Sequence, residues 1–179
     1  MSLSSGRAHL ATPGPSIIPE KVLQAMHRPA PDIYGGEIID VTKSILIDLA
    51  NFAQTSGEVA IYVSNGHGVW EAAISNLFSQ NDTILVLATG QFGLGWADLS
   101  REMKLNVILL DFGFQDTIDF EKLKETLTAD TRQNIKAVLC AQTDTASSVH
   151  NDVKAISRII EECKHPALLL VDSIACFGC

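Results

Sequence analysis

Hydrophobic residues follow two kinds of spacing along the chain. Five short apolar runs, none with strict alternation of apolar and polar residues, predict β-strands buried on both faces. These runs cover residues 59–63, 83–87, 107–110, 137–141 and 167–171. Helices are predicted over residues 19–26, 37–52, about 69–78, about 94–104, 120–127 and 153–163. Because strands alternate with helices, the predicted fold class is α/β, with a mostly parallel sheet covered by helices on both faces.

The first 36 residues differ in composition from the rest of the chain. Pro and Gly recur over residues 8–36, which favours an irregular N-terminal arm, residues 1–36, interrupted by one short helix. Residues 37–179 are predicted to form one domain, since a chain of 179 residues with 46% hydrophobic residues can bury a substantial core. We expect the arm to lie over another part of the protein or over a second subunit.

Charge and hydropathy exclude two classes of partner. The net charge is -8 and the isoelectric point is about 5.0, whereas a nucleic-acid surface needs clustered Lys and Arg. No apolar run approaches the length of a membrane span, and the first residues lack the apolar core of a secretory signal. The sequence therefore predicts a soluble cytoplasmic protein that binds neither nucleic acid nor membrane.

The four cysteines raise the alternative of a redox or metal site. Cys176 and Cys179 form a Cys-x-x-Cys pair, but a second pair with zinc spacing is missing. Cys140 falls in an apolar strand-like run and Cys163 near the end of a helix. Thiols that serve as small hydrophobic side chains are the better interpretation, and no metal site is predicted.

A turn at residues 64–68 joins the first apolar run to a helix. Its sequence is Ser64-Asn65-Gly66-His67-Gly68. The first N–H groups of a helix have no partner within it and lie at the positive end of its dipole. With two glycines that allow close approach and short polar side chains beside them, the turn predicts a phosphate-binding site. An ordinary capped turn, in which His67 has no ligand, is the alternative.

The other strand ends add further polar and aromatic groups. In parallel sheets, ligands bind beyond the carboxyl ends of the strands. The loops there contain Gln91-Phe92, Asp144-Thr145-Ala146-Ser147 and Asp172-Ser173-Ile174. An anion site, an aromatic ring, hydroxyls and a carboxylate suit a flat phosphorylated aromatic ligand. Asp172 is the most informative, because a carboxylate after a buried strand needs a cation or several donors; a turn-forming role is its alternative.

A nicotinamide-binding Rossmann domain would also place a glycine-rich turn between a strand and a helix. That fingerprint requires Gly-x-Gly-x-x-Gly and an acidic residue at the end of the next strand. Here Gly66-x-Gly68 is followed by Trp70-Glu71, and the next strand ends in Leu87-Ala88-Thr89. Both requirements fail, so this enzyme class is disfavoured.

Four stretches, in this order along the chain, carry a family resemblance. They are Pro13-Gly14-Pro15-Ser16, Gly66-His67-Gly68-Val69-Trp70-Glu71-Ala72-Ala73, Asp144-Thr145-Ala146-Ser147 and Val171-Asp172-Ser173-Ile174-Ala175. Together they resemble the class V aminotransferases, fold-type I pyridoxal-phosphate enzymes, and most of all the alanine–glyoxylate and serine–glyoxylate (serine–pyruvate) branch. The resemblance covers residues 13–179.

The resemblance implies a cofactor, pyridoxal 5′-phosphate, and a role for each matching residue. By that resemblance, Asn65, Gly66 and the His67 backbone hold the cofactor phosphate. Phe92 stacks on one face of the pyridine ring and Ile174 packs on the other face, while Thr145 lies near the ring's 3-hydroxyl and Asp172 pairs with the ring nitrogen. The substrate side is lined by Gly14, Tyr34 and Gly35. For Tyr34, simple packing in a Gly-rich arm is the alternative.

The resemblance further implies an aminotransferase that moves an amino group from alanine or serine to glyoxylate or pyruvate. It implies a homodimer with active sites at the interface. It also implies a Schiff-base lysine and a small C-terminal domain that lie beyond these 179 residues, so that the large domain, 37–179, is incomplete at its C-terminal end. An inactive cofactor-binding or dimerising fragment, or a relative with lyase or desulfurase chemistry, is the alternative.

Overall fold

The chain divides into two compact units, residues 1–61 and 62–179. The computed structural model describes residues 12, 14 and 16–178. In the first unit, α1 covers Glu20–Met26 and α2 covers Glu37–Phe52, as predicted. Pro19 precedes α1, where its fixed φ and missing N–H are tolerated. The division into an arm, 1–36, and a domain, 37–179, stays a prediction.

The second unit contains a parallel four-stranded sheet. Its strands are β1 Thr83–Ala88, β2 Asn106–Asp111, β3 Ile135–Ala141 and β4 Leu168–Asp172, and its helices are α3 Gly66–Leu77, α4 Gln91–Glu102, α5 Phe120–Ala129 and α6 Val153–Glu162. The strand order is β2-β1-β3-β4, and every pair is parallel. The predicted α/β fold class is therefore confirmed.

Helices cover both faces of this sheet because the side chains of each strand alternate between two apolar clusters. In β1, Leu85 and Leu87 pack with residues of α5 and α6, while Ile84 and Val86 pack with residues of α3 and α4. Cys140 lies in the first cluster and is fully buried. Burial, together with the charge of Asp172, raises the pKa of the Cys140 thiol to about 12, so this thiol acts as a small hydrophobic group, as predicted.

The predicted strand over residues 59–63 is wrong. Its residues form no strand, and Ile61, Tyr62 and Val63 are all more than half exposed. An apolar run becomes a strand only where a neighbour accepts its backbone hydrogen bonds, and no described strand pairs with it. In this run the apolar pattern indicates neither a buried segment nor a paired strand.

Two further sequence predictions concern cysteines and membranes. Cys179 lies outside the described residues, as do Pro13 and Pro15, so the Cys176-x-x-Cys179 pair is not described. Across the described part of the chain, no helix combines the length and the apolar character needed to cross a bilayer.

Candidate cofactor site

The strand order creates a switch point between β1 and β3, the two inner strands of the sheet. From β1 the chain first moves outward to β2 and then returns to the other side of β1 as β3. Ligands in open parallel sheets bind at such a switch point, beyond the carboxyl ends of the strands. The loop after β1 leads to Phe92, and the loop after β3 carries Thr145. Both predicted ring contacts therefore follow the two strands that meet at this switch point.

The turn before α3 has the geometry of a capped helix start. The Asn65 side chain caps the helix, accepting a hydrogen bond from the Gly68 N–H at 3.3 Å. A Cβ on Gly68 would lie 2.7 Å from the Ser64 side chain, so only glycine fits there. Among the described residues, the N–H groups of Gly66 and His67 have no hydrogen-bond partner. They are available to an anion, although the phosphate-binding role itself stays a prediction.

Aromatic rings connect this turn to α4. The His67 ring lies 4.5 Å from the Trp70 ring and 6.2 Å from the Phe92 ring, measured between centroids. Trp70 stacks on Trp96 with centroids 5.2 Å apart and an interplanar angle of 9°. The structure thus brings the predicted phosphate turn and the predicted stacking residue Phe92 together.

Asp172 ends β4 with its carboxylate held by two donors. The indole N–H of Trp70 donates to Oδ2 at 3.0 Å, and the backbone N–H of Ile174 donates to Oδ1 at 2.9 Å. These donors meet the requirement that the sequence placed on a carboxylate at this position. Trp70 is buried, and its bond to Asp172 was not predicted from the sequence. A buried indole N–H usually finds a partner, which was the available signal.

A cavity of about 380 Å³ lies between α3 and β4. It is lined by Gly66, Val69, Trp70, Ala73, Trp96, Leu170, Val171, Asp172, Ser173 and Ile174. Its volume is in the range of small-molecule sites, and its walls are mostly apolar. Three predicted site residues, Gly66, Asp172 and Ile174, therefore meet at one cavity, while Asn65, His67, Phe92 and Thr145 are not part of its lining. Gly14, Tyr34 and Gly35 belong to the first unit, and their substrate role stays a prediction.

Asp144 is a further residue of the site, and the sequence assigned it no role of its own. It is fully buried, and its Oδ2 accepts hydrogen bonds from the N–H groups of Phe92 at 2.8 Å and Gly93 at 3.0 Å. These bonds let α4 begin at Gln91, three residues before the predicted start at about residue 94. An Asp in a hydroxyl-rich turn gave no local sign of a partner 52 residues away.

Asn151 forms a second buried link beneath the site. Its amide donates to Thr89 Oγ1 at 2.8 Å and to the Ala141 carbonyl at 3.0 Å, and its carbonyl accepts from the Ile118 N–H at 3.3 Å. Asn151 is 1% exposed. It therefore ties the ends of β1 and β3 to the segment that precedes α5.

Comparison with known proteins identifies the family. The sequence profile described as Aminotransferase class-V matches residues 9–178. The chain belongs to the class-V aminotransferase family. Enzymes of this family use pyridoxal 5′-phosphate, which agrees with the cofactor predicted from the sequence.

Individual class-V aminotransferases resemble the chain along most of its length. It is 36% identical over 171 residues to the serine–glyoxylate aminotransferase of Arabidopsis thaliana, with 95% of this chain and 43% of that protein covered. It is 31% identical over 170 residues to the L-aspartate–glyoxylate aminotransferase of Paracoccus denitrificans, with 93% of this chain and 42% of that protein covered. The chain thus spans less than half the length of these relatives.

The fold also matches a solved structure. Pyridoxamine–pyruvate aminotransferase from Mesorhizobium loti superposes with a TM-score of 0.85 at 23% identity. The match covers 96% of this chain and 43% of that one. At this level of identity the likeness establishes the fold, and the donor and acceptor have to be argued separately.

Proposed function

We propose that this chain supplies most of the cofactor-binding surface of a pyridoxal 5′-phosphate-dependent aminotransferase. The observation that carries the proposal is the Asp172 carboxylate, fixed by the Trp70 and Ile174 N–H groups at a cavity that Gly66 also lines. A carboxylate, a helix N-terminus and an apolar wall are the groups that a phosphorylated pyridine requires. The residues present therefore fit the family's cofactor.

Asp172 would bind the ring nitrogen. An ion pair at contact distance is worth about 5 kcal/mol at an effective dielectric constant near 20, so a fixed carboxylate keeps a pyridine nitrogen protonated near neutral pH. When bound, the cofactor supplies the electron sink that stabilises negative charge at the α-carbon of an amino acid. Because both Asp172 oxygens already accept hydrogen bonds, the carboxylate is oriented before the cofactor arrives.

The other residues would hold the rest of the cofactor. The free N–H groups of Gly66 and His67, with the Asn65 side chain, would bind the phosphate at the positive end of α3. Phe92 and Ile174 would contact the two faces of the ring, and Ile174 is 70% exposed and so accessible to it.

Thr145 would bind the ring's 3-hydroxyl. Its side chain is half-buried, and its hydroxyl makes no hydrogen bond with the described residues. The group is therefore available as a donor or an acceptor.

The substrates would be a small amino acid, alanine or serine, and a 2-oxo acid, glyoxylate or pyruvate. Two similar proteins are named for glyoxylate, with serine as donor in one and L-aspartate in the other, which supports glyoxylate more strongly than any donor. Gly14, Tyr34 and Gly35 would line the substrate side. The working form would be a cytoplasmic homodimer.

The Schiff-base lysine would come from outside these 179 residues. The chain has eight lysines, all described, and none lines the cavity beside Asp172. Covalent attachment of the cofactor would then depend on a residue outside this stretch.

The proposal is tested by donor and acceptor profiling of the intact protein that contains this chain. Purified protein with added pyridoxal 5′-phosphate is mixed with alanine, serine or aspartate and with glyoxylate or pyruvate, and the amino acid and oxo acid products are quantified. We expect glycine from glyoxylate with at least one donor. Cofactor binding without amino transfer from any donor would refute the proposed function.

A further inference from the structure

We propose that Asp144 is a positioning residue that sets the spacing between Phe92 and Thr145, the residues assigned to the ring face and the ring hydroxyl. The inference rests on the proposed function, since those assignments do. It concerns a side chain that is not expected to touch the cofactor itself. Asp144 controls the relative placement of the two loops that carry the cofactor contacts Phe92 and Thr145.

One oxygen of Asp144 fixes the start of α4. Oδ2 accepts hydrogen bonds from the N–H groups of Phe92 and Gly93, which belong to the first turn and have no partner within the helix. The residue in the capping position of α4 is Gly90, which has no side chain to offer. The cap for this helix is therefore supplied from another loop, and it acts directly on the backbone of Phe92.

The other oxygen of Asp144 fixes the loop that carries Thr145. Oδ1 accepts a hydrogen bond from the Ala146 N–H at 3.0 Å. The Asp144 backbone closes the same loop, donating to the Val149 carbonyl at 3.1 Å and accepting from the Ser148 N–H at 2.8 Å. One carboxylate thus joins the loops that follow two neighbouring strands, β1 and β3, at the switch point of the sheet.

A purely structural cap would not need this arrangement. α5 and α6 are capped by Asp119 and Asp152, which immediately precede them in the sequence. Asp144 instead is fully buried, which is costly for a carboxylate unless several donors surround it. A Cβ on Gly90 would overlap the Asp144 carboxylate, so Gly90 leaves the space that this link occupies. The distant, buried cap is what a connection between two ligand loops requires.

The decisive variant is Asp144→Asn in the intact protein. An amide has one acceptor oxygen, so it can keep the bonds to α4 or the bond to Ala146, but not both. We expect the dissociation constant for pyridoxal 5′-phosphate to rise at least tenfold. We also expect the circular dichroism that the bound cofactor shows at its visible absorption band to weaken, because the ring is no longer held in one orientation.

Two controls separate positioning from loss of stability. Asp119→Asn makes the same chemical change in a local, exposed cap of α5. Leu127→Ala removes a core side chain that is 2% exposed and lowers stability without touching either loop. Leu127→Ala should lower the melting temperature, whereas Asp119→Asn should change it little, because one oxygen of Asp119 accepts both cap bonds and an amide keeps that acceptor. Both controls should leave cofactor affinity and the dichroism within twofold of wild type.

A double-mutant cycle tests whether Asp144 acts through Phe92. Asp144→Asn should weaken cofactor binding threefold or less in a Phe92→Leu background, since the contact that it positions is already gone. Wild-type affinity and dichroism in Asp144→Asn, or additive losses in the cycle, would overturn the inference. If Asp144→Asn does not fold, Gly90→Ala displaces the same carboxylate, and unchanged affinity there would also overturn it. Failure of the wild-type protein to bind the cofactor would instead refute the proposed function.

Discussion

Trp70 offers a sharp test of how Asp172 is held. Trp70→Phe removes the indole N–H that donates to Asp172 Oδ2 at 3.0 Å, while it keeps an aromatic ring in the cluster. The carboxylate then keeps one described donor, the Ile174 N–H, on its other oxygen. A carboxylate with one donor can rotate, so the oxygen meant for the cofactor nitrogen loses its fixed direction.

The structure provides a matched control for this change. Trp96 stacks on Trp70, is 3% exposed, and its buried indole nitrogen has no hydrogen-bond partner among the described residues. Trp96→Phe therefore makes the same reduction in side-chain size without breaking a hydrogen bond. The difference between the two variants isolates the bond to Asp172.

The size of that difference follows from the charge and the burial of the pair. Hydrogen bonds to charged groups contribute about 1.5–3 kcal/mol, and the lower end applies because Asp172 is half-buried. We therefore expect Trp70→Phe to lower the free energy of unfolding by about 1.5 kcal/mol more than Trp96→Phe does. A comparable loss in the orientation of Asp172 would weaken cofactor binding about tenfold.

The assay combines urea unfolding, followed by far-ultraviolet circular dichroism, with cofactor titration of both variants in the intact protein. Adding Asp172→Asn to Trp70→Phe completes a double-mutant cycle, in which the effects should be strongly non-additive. If Trp70→Phe and Trp96→Phe lose the same stability and the same cofactor affinity, the indole bond does not hold Asp172 and the reasoning is refuted.

Asn151→Ala leaves buried backbone and hydroxyl groups without partners, so it should lower the free energy of unfolding by about 2–4 kcal/mol, measured by urea titration. A loss below about 0.5 kcal/mol would contradict the role of Asn151 in joining the ends of β1 and β3. Burial tends to raise the pKa of Asp130, but hydrogen bonds from the backbone of Ile135 and Asn134 and from His165 outweigh burial and lower this pKa. The ionised Asp130 carboxylate therefore stabilises the folded protein fully above the ordinary carboxyl pKa, and this stabilisation is lost as pH falls through the lowered pKa. Asp130→Asn should accordingly flatten the acid side of a plot of unfolding free energy against pH. An unchanged acid side would contradict this assignment. Borohydride reduction of these 179 residues with pyridoxal 5′-phosphate should leave no specific lysine adduct, whereas a stoichiometric adduct with transaminase activity would show that one of the eight lysines serves as the Schiff base.

Most of the fold could be predicted because burial leaves a local record in the sequence. The start of α5 at Phe120 is an example, since Asp119, which caps this helix, binds the N–H groups of its immediate neighbours. The apolar run at residues 59–63 failed for the opposite reason. Its state depends on a hydrogen-bonding neighbour, and the sequence of the run itself says nothing about that neighbour.

The site was predictable only in part, because residues that touch the ligand and residues that hold them leave different signals. Asp172 stood out as a carboxylate that follows a buried strand, and Gly66 as part of a glycine-rich turn. Trp70 and Asp144 did not stand out, because their partners lie 102 and 52 residues away. Such long-range bonds become visible only when the sheet brings the strand ends together.

The central claim is that Asp172 keeps the cofactor's ring nitrogen protonated, and the nitrogen-15 chemical shift of that atom tests it most directly. Pyridoxal 5′-phosphate labelled at the ring nitrogen is bound to the intact wild-type protein and to Asp172→Asn, and both spectra are recorded from pH 6 to pH 9, a range chosen to include about pH 7. We predict a protonated ring nitrogen across this range in the wild-type protein and an unprotonated one in the variant. A nitrogen that is unprotonated in the wild-type protein, or equally protonated in both, would contradict the account.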